Sequence, residues 1–202
     1  PDRLLSTLLA HPDVRRLIVA DPYRSWTTNW VRSVIDRRHL PRTTARVTHV
    51  KPLRFGRADP RRVASIQLTY EAYERRLQLT AERTGVRDPF MITASPLVAG
   101  FSDLGWTRGA LYYARDDWLS SSTREEYWPA YKEAYRRIAS KGLAVAAVSQ
   151  QIIDRIEPTG PHRVVPNGIE PVEWLGVPPP APEWFAAIPR PRGVYVGTLD
   201  SR

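Results

Sequence analysis

Short apolar runs alternate with segments of helical periodicity along most of this chain. The clearest run is LAVAAV at 143–148, where almost every side chain is apolar, as is typical of a strand covered on both faces. Helical patterns stand on either side of it, at 129–141 and at 150–156. Because a strand, a helix and a second strand in this order close a parallel pair, the alternation predicts an α/β fold.

The same criteria predict elements along the rest of the chain. Strands are expected at 17–20, 46–55, 90–95, 109–114, 162–166 and 193–199. Helices are expected at 4–9, 26–39 and 60–84, with Asp59 as the side-chain cap of the third and Pro60 in its first turn. Together they predict a doubly wound, Rossmann-like parallel sheet with helices on both faces, truncated at both ends.

Composition narrows the classes of function. The chain has 202 residues, no cysteine and four scattered histidines, so neither a disulfide framework nor a zinc site is expected. No apolar run approaches the roughly 20 residues of a membrane span. The net charge of +9 comes mostly from arginines interspersed with acids, without the motifs of nucleic-acid-binding domains. We therefore expect a cytoplasmic protein without a metal, a cofactor or a nucleic-acid partner.

The two ends of the chain suggest a fragment. The chain opens on Pro1 in a helical pattern, and Met91 is its only methionine, so we expect a natural start upstream and a missing first strand. Near the other end, the run VPPPAP favours an extended spacer. We divide the chain into a Rossmann-like domain at 1–175, a proline-rich linker at 176–191 and the first strand of a second domain at 192–202.

In parallel sheets, ligands bind beyond the carboxyl ends of the strands. This rule selects the residues that follow the predicted strands, which are Asp21, Ser95, Asp116, Asp117, Ser149, Asn167 and Gly168. The adjacent carboxylates of Asp116 and Asp117 are the predicted catalytic pair, acting as a general base or orienting an acceptor. The alternative is that one of them caps the serine-rich segment that follows.

The other residues at this edge have structural alternatives too. Ser95 and Ser149 could line an acceptor pocket, or form a turn and an N-cap respectively. Asn167 and Gly168 favour left-handed backbone and predict a sharp turn, either contacting the ligand or lying beside a hinge. The helix at 26–39 carries aromatic and basic side chains, which could meet an anionic membrane or simply pack as a crossover helix. These side chains are Trp26, Trp30, Arg32 and Arg37.

Four segments in order resemble the domain junction of retaining, group-1-type GT-B glycosyltransferases. They are SQQIIDRI (149–156), VVPNGIEPVEW (164–174), the proline-bearing connection and YVGTLD (195–200). ALYYARDDW (110–118) also resembles a strand with paired aspartates in some members. The likeness covers the junction in motif and the earlier segments only in element order.

This resemblance implies transfer of a sugar from a nucleotide sugar to an acceptor held against the amino-terminal domain. It implies donor contacts at Gly197, Thr198 and Arg202, although many members carry a basic residue where this chain has Thr198. It implies metal-independent chemistry and, since such enzymes often use lipid-linked or cell-envelope acceptors, a place on the inner face of the plasma membrane. A non-catalytic Rossmann-like binding module and a GT-B-like nucleotide-sugar epimerase are the alternatives.

Overall fold

A computed structural model describes residues 2–25, 44–54, 56, 58–168, 175–176 and 180–193. Its strands are β1 Leu17–Ala20, β2 Arg24–Ser25, β3 Val47–Val50, β4 Leu53–Arg54, β5 Phe90–Thr93, β6 Gly109–Ala114, β7 Ala144–Ala147 and β8 His162–Val164. Its helices are α1 Asp2–Ala10, α2 Val63–Arg83, α3 Pro96–Phe101, a 3₁₀ helix Ser122–Tyr127, α4 Trp128–Ser140, α5 Gln150–Ile156 and α6 Glu183–Ala186.

Every strand ladder between these strands is parallel, and from β4 onward a helix separates each strand from the next along the chain. The largest sheet has four strands in the order β5-β6-β7-β8. The predicted Rossmann-like α/β class is therefore confirmed. The predicted single sheet is not found among the described residues, because β1 pairs only with β3, and β2 only with β4, in two separate two-stranded sheets.

Helix α2 links the β1-β3 pair to the larger sheet. At its middle, the hydroxyl of Tyr73 donates to the carbonyl of Asp21, just after β1, at 3.2 Å. At its end, the carbonyl of Thr84 accepts from the guanidinium of Arg16, just before β1. The helix therefore runs antiparallel to β1. Met91 of β5 and Ala20 of β1 pack against the same apolar cluster around α2.

Strand β5 differs from the short buried strand predicted at 90–95. It pairs on one side only within the described structure, and its side chains alternate between exposed and half-buried. Phe90 is 48% exposed and Ile92 39%. Successive side chains of a strand point to opposite faces, so this pattern means that one face of β5 packs toward the core and the other meets solvent.

The two apolar clusters of the core meet at α4. One lies between α2, α3 and α4, and the other between the four-stranded sheet, α4 and α5. Gly100 allows the closest helix contact, since a Cβ atom there would lie 2.7 Å from the Cα of Ala134. Burial of Ala130, Ala134 and Ile138 on one side of α4 explains why its helical period was readable in the sequence.

Two charged side chains hold the loop that follows α3. The buried carboxylate of Glu74 accepts from the backbone amides of Asp103 at 2.7 Å and Leu104 at 2.6 Å, and from the indole N–H of Trp106 at 3.0 Å. The ammonium of Lys141 donates to the carbonyls of Gly100 at 2.9 Å and Ser102 at 2.5 Å. Burial lowers the pKa of Lys141. These bonds satisfy backbone groups that the short helix leaves without partners.

The helix ends confirm some predictions and correct one. Gly85 and Gly142 follow α2 and α4 with φ of 68° and 62°, and α4 begins at Trp128, beside Pro129. The predicted cap at Asp59 is wrong, because α2 begins at Val63 with Arg62 as its N-cap. Asp59 instead accepts hydrogen bonds from the guanidinium of Arg54 and the hydroxyl of Tyr70.

Several sequence predictions lie outside the described residues. These are the helix at 26–39 with Trp26, Trp30, Arg32 and Arg37, and the strand with Gly197 and Thr198, together with Arg202. Within the predicted linker, the short helix α6 occupies Glu183–Ala186, directly after the proline run. Where the structure describes the chain, none of its helices combines the length and the apolar character that crossing a membrane requires.

We predict that Gly100→Ala destabilises the fold by about 1–3 kcal/mol, because the added methyl group collides with the backbone of Ala134 and pushes α3 from α4. Urea unfolding followed by circular dichroism measures the effect. Gly168→Ala is the matched control, because a Cβ there meets no atom within 4 Å. Equal midpoints for the two variants would contradict this account of the α3–α4 contact.

A second prediction concerns Glu133 of α4. Its hydrogen bonds to Arg136, and then those to Arg137, lower the pKa of its carboxyl to about 2, from a usual value of 4.5. A depressed pKa contributes stability that is present above the usual value and is lost as the pH falls toward the lower one. We therefore expect Glu133→Gln to flatten the loss of stability between these two pH values, measured by thermal unfolding at a series of pH values. Glu125→Gln, at an exposed position, should leave the wild-type pH dependence unchanged.

Candidate active site at the carboxyl edge of the sheet

The strand register brings most of the predicted site residues to one edge. Ala114, the last residue of β6, pairs with Ala147 of β7, which in turn pairs with Val164 of β8. The last residues of these three strands therefore lie side by side at the same end of the sheet. The residues that follow them lie along the same edge, and they include Asp116 and Asp117, Ser149, and Asn167 and Gly168. Ser95 follows the neighbouring strand β5.

All three oxygens of Asp117 have partners, but its carboxylate does not cap the serine-rich segment, whose 3₁₀ helix has Ser121 at its N-cap. One carboxylate oxygen accepts from the backbone amide of Leu119 at 3.2 Å, and the other pairs with the guanidinium of Arg155 at 2.5 Å. Its carbonyl accepts from both the amide and the hydroxyl of Ser120. The side chain is only 13% exposed. Asp117 therefore fixes the loop after β6 to α5.

Asp116 stands on the same loop with its side chain exposed. In the part of the chain that the structure describes, it forms neither an ion pair nor a side-chain hydrogen bond. The two adjacent aspartates thus differ in what their carboxylates can do. Asp117 holds the loop, and Asp116 offers its oxygens to solvent or to a ligand.

A buried pair of tyrosines lies beneath these carboxylates. Tyr112 of β6 and Tyr135 of α4 are 0% and 3% exposed, with ring centroids 6.3 Å apart. Burial raises the pKa of Tyr112 well above its usual range, and Tyr135, Asp116 and Asp117 raise it further. Burial also raises the pKa of Tyr135 to about 12. Both phenols therefore stay neutral, and they lie beneath the loop that carries Asp116 and Asp117.

The two serines at this edge have different roles. Ser95 is the N-cap of α3, where its hydroxyl accepts from the amide of Val98 at 3.4 Å, whereas its structural alternative was a turn. Ser149 occupies the N-cap position of α5, but its side chain makes no capping hydrogen bond. Its backbone carbonyl accepts from Ile153 instead. The hydroxyl of Ser149 is therefore not used to cap α5.

The predicted left-handed turn at Asn167 and Gly168 is wrong. Neither residue has a φ in the left-handed region, and both are exposed after β8. A Cβ on Gly168 would meet nothing within 4 Å. This glycine is therefore needed neither for its backbone conformation nor for a close approach within the described structure.

Sequence reasoning missed the residues that organise this edge. Arg155 lies within the SQQIIDRI segment, but its partner Asp117 is 38 residues away, and no local pattern links them. Trp118 packs on Tyr131 with ring centroids 5.2 Å apart, and the guanidinium of Arg124 lies 5.2 Å from the Trp118 ring centre. In the sequence, the tryptophan directly after the paired aspartates was the one signal that could have indicated this cluster.

Two cavities border the helices of the core. One, of about 320 Å³, lies between α4 and α5 and is lined by residues that include Leu119 of this loop, Lys132, Tyr135 and Arg155. The other, of about 410 Å³, lies beside α2 and is lined by residues that include Glu74, Asp103 and Trp106. Across the described ranges, histidine and acidic side chains nowhere form a group of three that could hold a metal ion.

No family model, curated protein or solved structure matches the chain. The residues at the carboxyl edge and the motifs in the sequence are therefore the features that indicate a function.

We predict that Arg155→Ala loosens the loop at 115–121, because Asp117 loses the charged partner that ties it to α5. Hydrogen exchange at the loop amides should accelerate, and the free energy of unfolding should fall by about 1–3 kcal/mol. Arg115→Ala, at an exposed position on the same loop, is the control. Unchanged exchange at Leu119 and Ser120 in Arg155→Ala would show that the ion pair does not hold the loop.

Proposed function

We propose that this chain forms the acceptor-binding domain of a glycosyltransferase that uses a nucleotide sugar. The observation that carries the proposal is the exposed carboxylate of Asp116, held at the carboxyl edge of a parallel sheet on a loop that Asp117 and Arg155 fix. Ligands of parallel α/β sheets bind at this edge. The motif order around SQQIIDRI, VVPNG and YVGTLD supports the same function.

The proposal divides the work of the two aspartates. Asp116 accepts a hydrogen bond from the acceptor hydroxyl and orients its oxygen toward the anomeric carbon of the donor sugar. As the new C–O bond forms, the bond between that carbon and the nucleoside diphosphate breaks, and the proton of the hydroxyl passes to the carboxylate of Asp116. Asp117 acts as a positioning residue because both of its carboxylate oxygens already have partners.

The hydroxyl of Ser149 is placed to contribute to acceptor binding. It follows β7 at the same edge, and it is not used to cap α5. Ser95 is left out of this role, because its hydroxyl already accepts from Val98. Gly197, Thr198 and Arg202 belong to the donor side in this proposal, on the strength of the motif resemblance alone.

We predict that Asp116→Asn lowers sugar transfer about 10²–10⁴-fold, because an amide oxygen orients the acceptor hydroxyl less well and takes up no proton. The assay uses the natural polypeptide that carries these residues, with a panel of nucleotide sugars and glycan or lipid-linked acceptors. Asp88→Asn is the matched control, because this exposed aspartate lies at the opposite edge of the same sheet. Wild-type rates in Asp116→Asn would remove Asp116 from the mechanism.

The same panel separates the alternative functions. Consumption of a nucleotide sugar without any acceptor would indicate an epimerase, and no consumption with any donor would indicate a binding module. Titration calorimetry of residues 1–202 with UDP-, GDP- and ADP-sugars tests the division into two domains. Micromolar binding would place the donor site within these residues and contradict that division.

A further inference from the structure

The cavity of about 320 Å³ between α4 and α5 combines apolar and charged walls. Its apolar lining includes Tyr135 and Ile156, each 3% exposed, and Leu119 of the loop that carries Asp116. Sites for small molecules usually have volumes of about 300–1,000 Å³, so the cavity has room for a small organic molecule. Its charged lining residues, all exposed, are Lys132, Arg136, Arg155 and Glu157.

Lys132 is a cation of this cavity without a partner. Within the described ranges, its ammonium makes neither a hydrogen bond nor an ion pair. The neighbouring Glu133 does not balance it, because that carboxylate is shared by the guanidinium groups of Arg136 and Arg137, each at 2.7 Å. These three residues therefore keep a net positive charge, to which Lys132 adds. The carboxylate that lines the cavity, Glu157, offsets one of these two positive charges. Positive charge is therefore in excess on the α4 side.

Arg155 offers the cavity a second edge of its guanidinium group from α5. Its Nη1 atom pairs with Asp117 at 2.5 Å. Where the structure describes the chain, its Nε and Nη2 atoms make no hydrogen bond. Two N–H groups on one edge of a guanidinium fit two oxygens of one phosphate or carboxylate. Arg155 can therefore bind an anion in the cavity without releasing Asp117.

We infer that this cavity binds a small molecule that carries a terminal phosphate group. The ammonium of Lys132 and the free edge of Arg155 bind the phosphate oxygens, and the organic part contacts Tyr135 and Ile156. Phosphate is favoured over carboxylate because its third oxygen and second negative charge match the second cation, on the other helix. Since Arg155 also holds Asp117, the bound molecule ties the loop at 115–121 to α4. Only an effect on sugar transfer, through Asp116 on that loop, rests on the proposed function.

Titration calorimetry of residues 1–202 with phenyl phosphate, inorganic phosphate and phenol tests the inference. Phenyl phosphate should bind at one site, and inorganic phosphate more weakly because it has no apolar part. Phenol should not bind measurably. Lys132→Gln should weaken the binding of phenyl phosphate at least about tenfold, because it removes a charge-assisted hydrogen bond. Lys51→Gln, which changes an exposed lysine just after β3, is the matched control and should bind like the wild type.

Hydrogen exchange tests the link to the loop. Saturating phenyl phosphate should slow exchange at the amides of Leu119 and Ser120 in the wild type, but not in Lys132→Gln at the same concentration. Circular dichroism checks that the variant is folded. No binding by the wild type, or equal binding by Lys132→Gln, would overturn the inference. Inorganic phosphate that binds as tightly as phenyl phosphate would overturn the assignment of an organic ligand. A polypeptide that binds phenyl phosphate but transfers no sugar would contradict the proposed function and leave this inference intact.

Discussion

The level ends of β6, β7 and β8 decide which residues of this protein can act together. Parallel strands in register deliver their following loops to one edge, so residues that are dozens of positions apart in the chain become neighbours. The Asp117–Arg155 ion pair is possible only because β6 and β7 lie side by side. Once it forms, it gives the loop after β6 a fixed place, and Asp116 projects from that loop.

Charged side chains also support the fold away from this edge. Glu74 accepts from amides of the loop after α3, and Lys141 donates to carbonyls at the end of α3 and in that loop. A six-residue helix such as α3 leaves most of its backbone groups without intrahelical partners. Lys141 supplies such a partner for the carbonyl of Gly100, and the absence of a side chain at Gly100 lets the helix lie directly on α4.

The strands and helices were readable from the sequence because their signals are local. The run at 143–148 and the period of α4 place β7 and α4 within a few residues. The site was less readable, because its decisive contacts are long-range. Nothing near Asp117 distinguishes it from Asp116, and the difference depends on Arg155. The predicted cap at Asp59 was wrong because of contacts that its neighbours do not reveal. Its carboxylate accepts from Arg54 on β4 and from Tyr70 on α2 instead of capping a helix.

Strand β5 has a practical consequence for work with the purified chain. Among the described residues its second edge is unpaired, and the strand itself, FMIT, carries no charge and no proline. Natural sheets prevent pairing at such edges with lysine, proline or a bulge. Next to β5, the charged and proline residues are Arg87, Asp88 and Pro89, just before the strand. An unpaired edge of this kind offers its backbone N–H and C=O groups to an extended segment of another chain. We therefore expect association of the purified chain to increase with protein concentration.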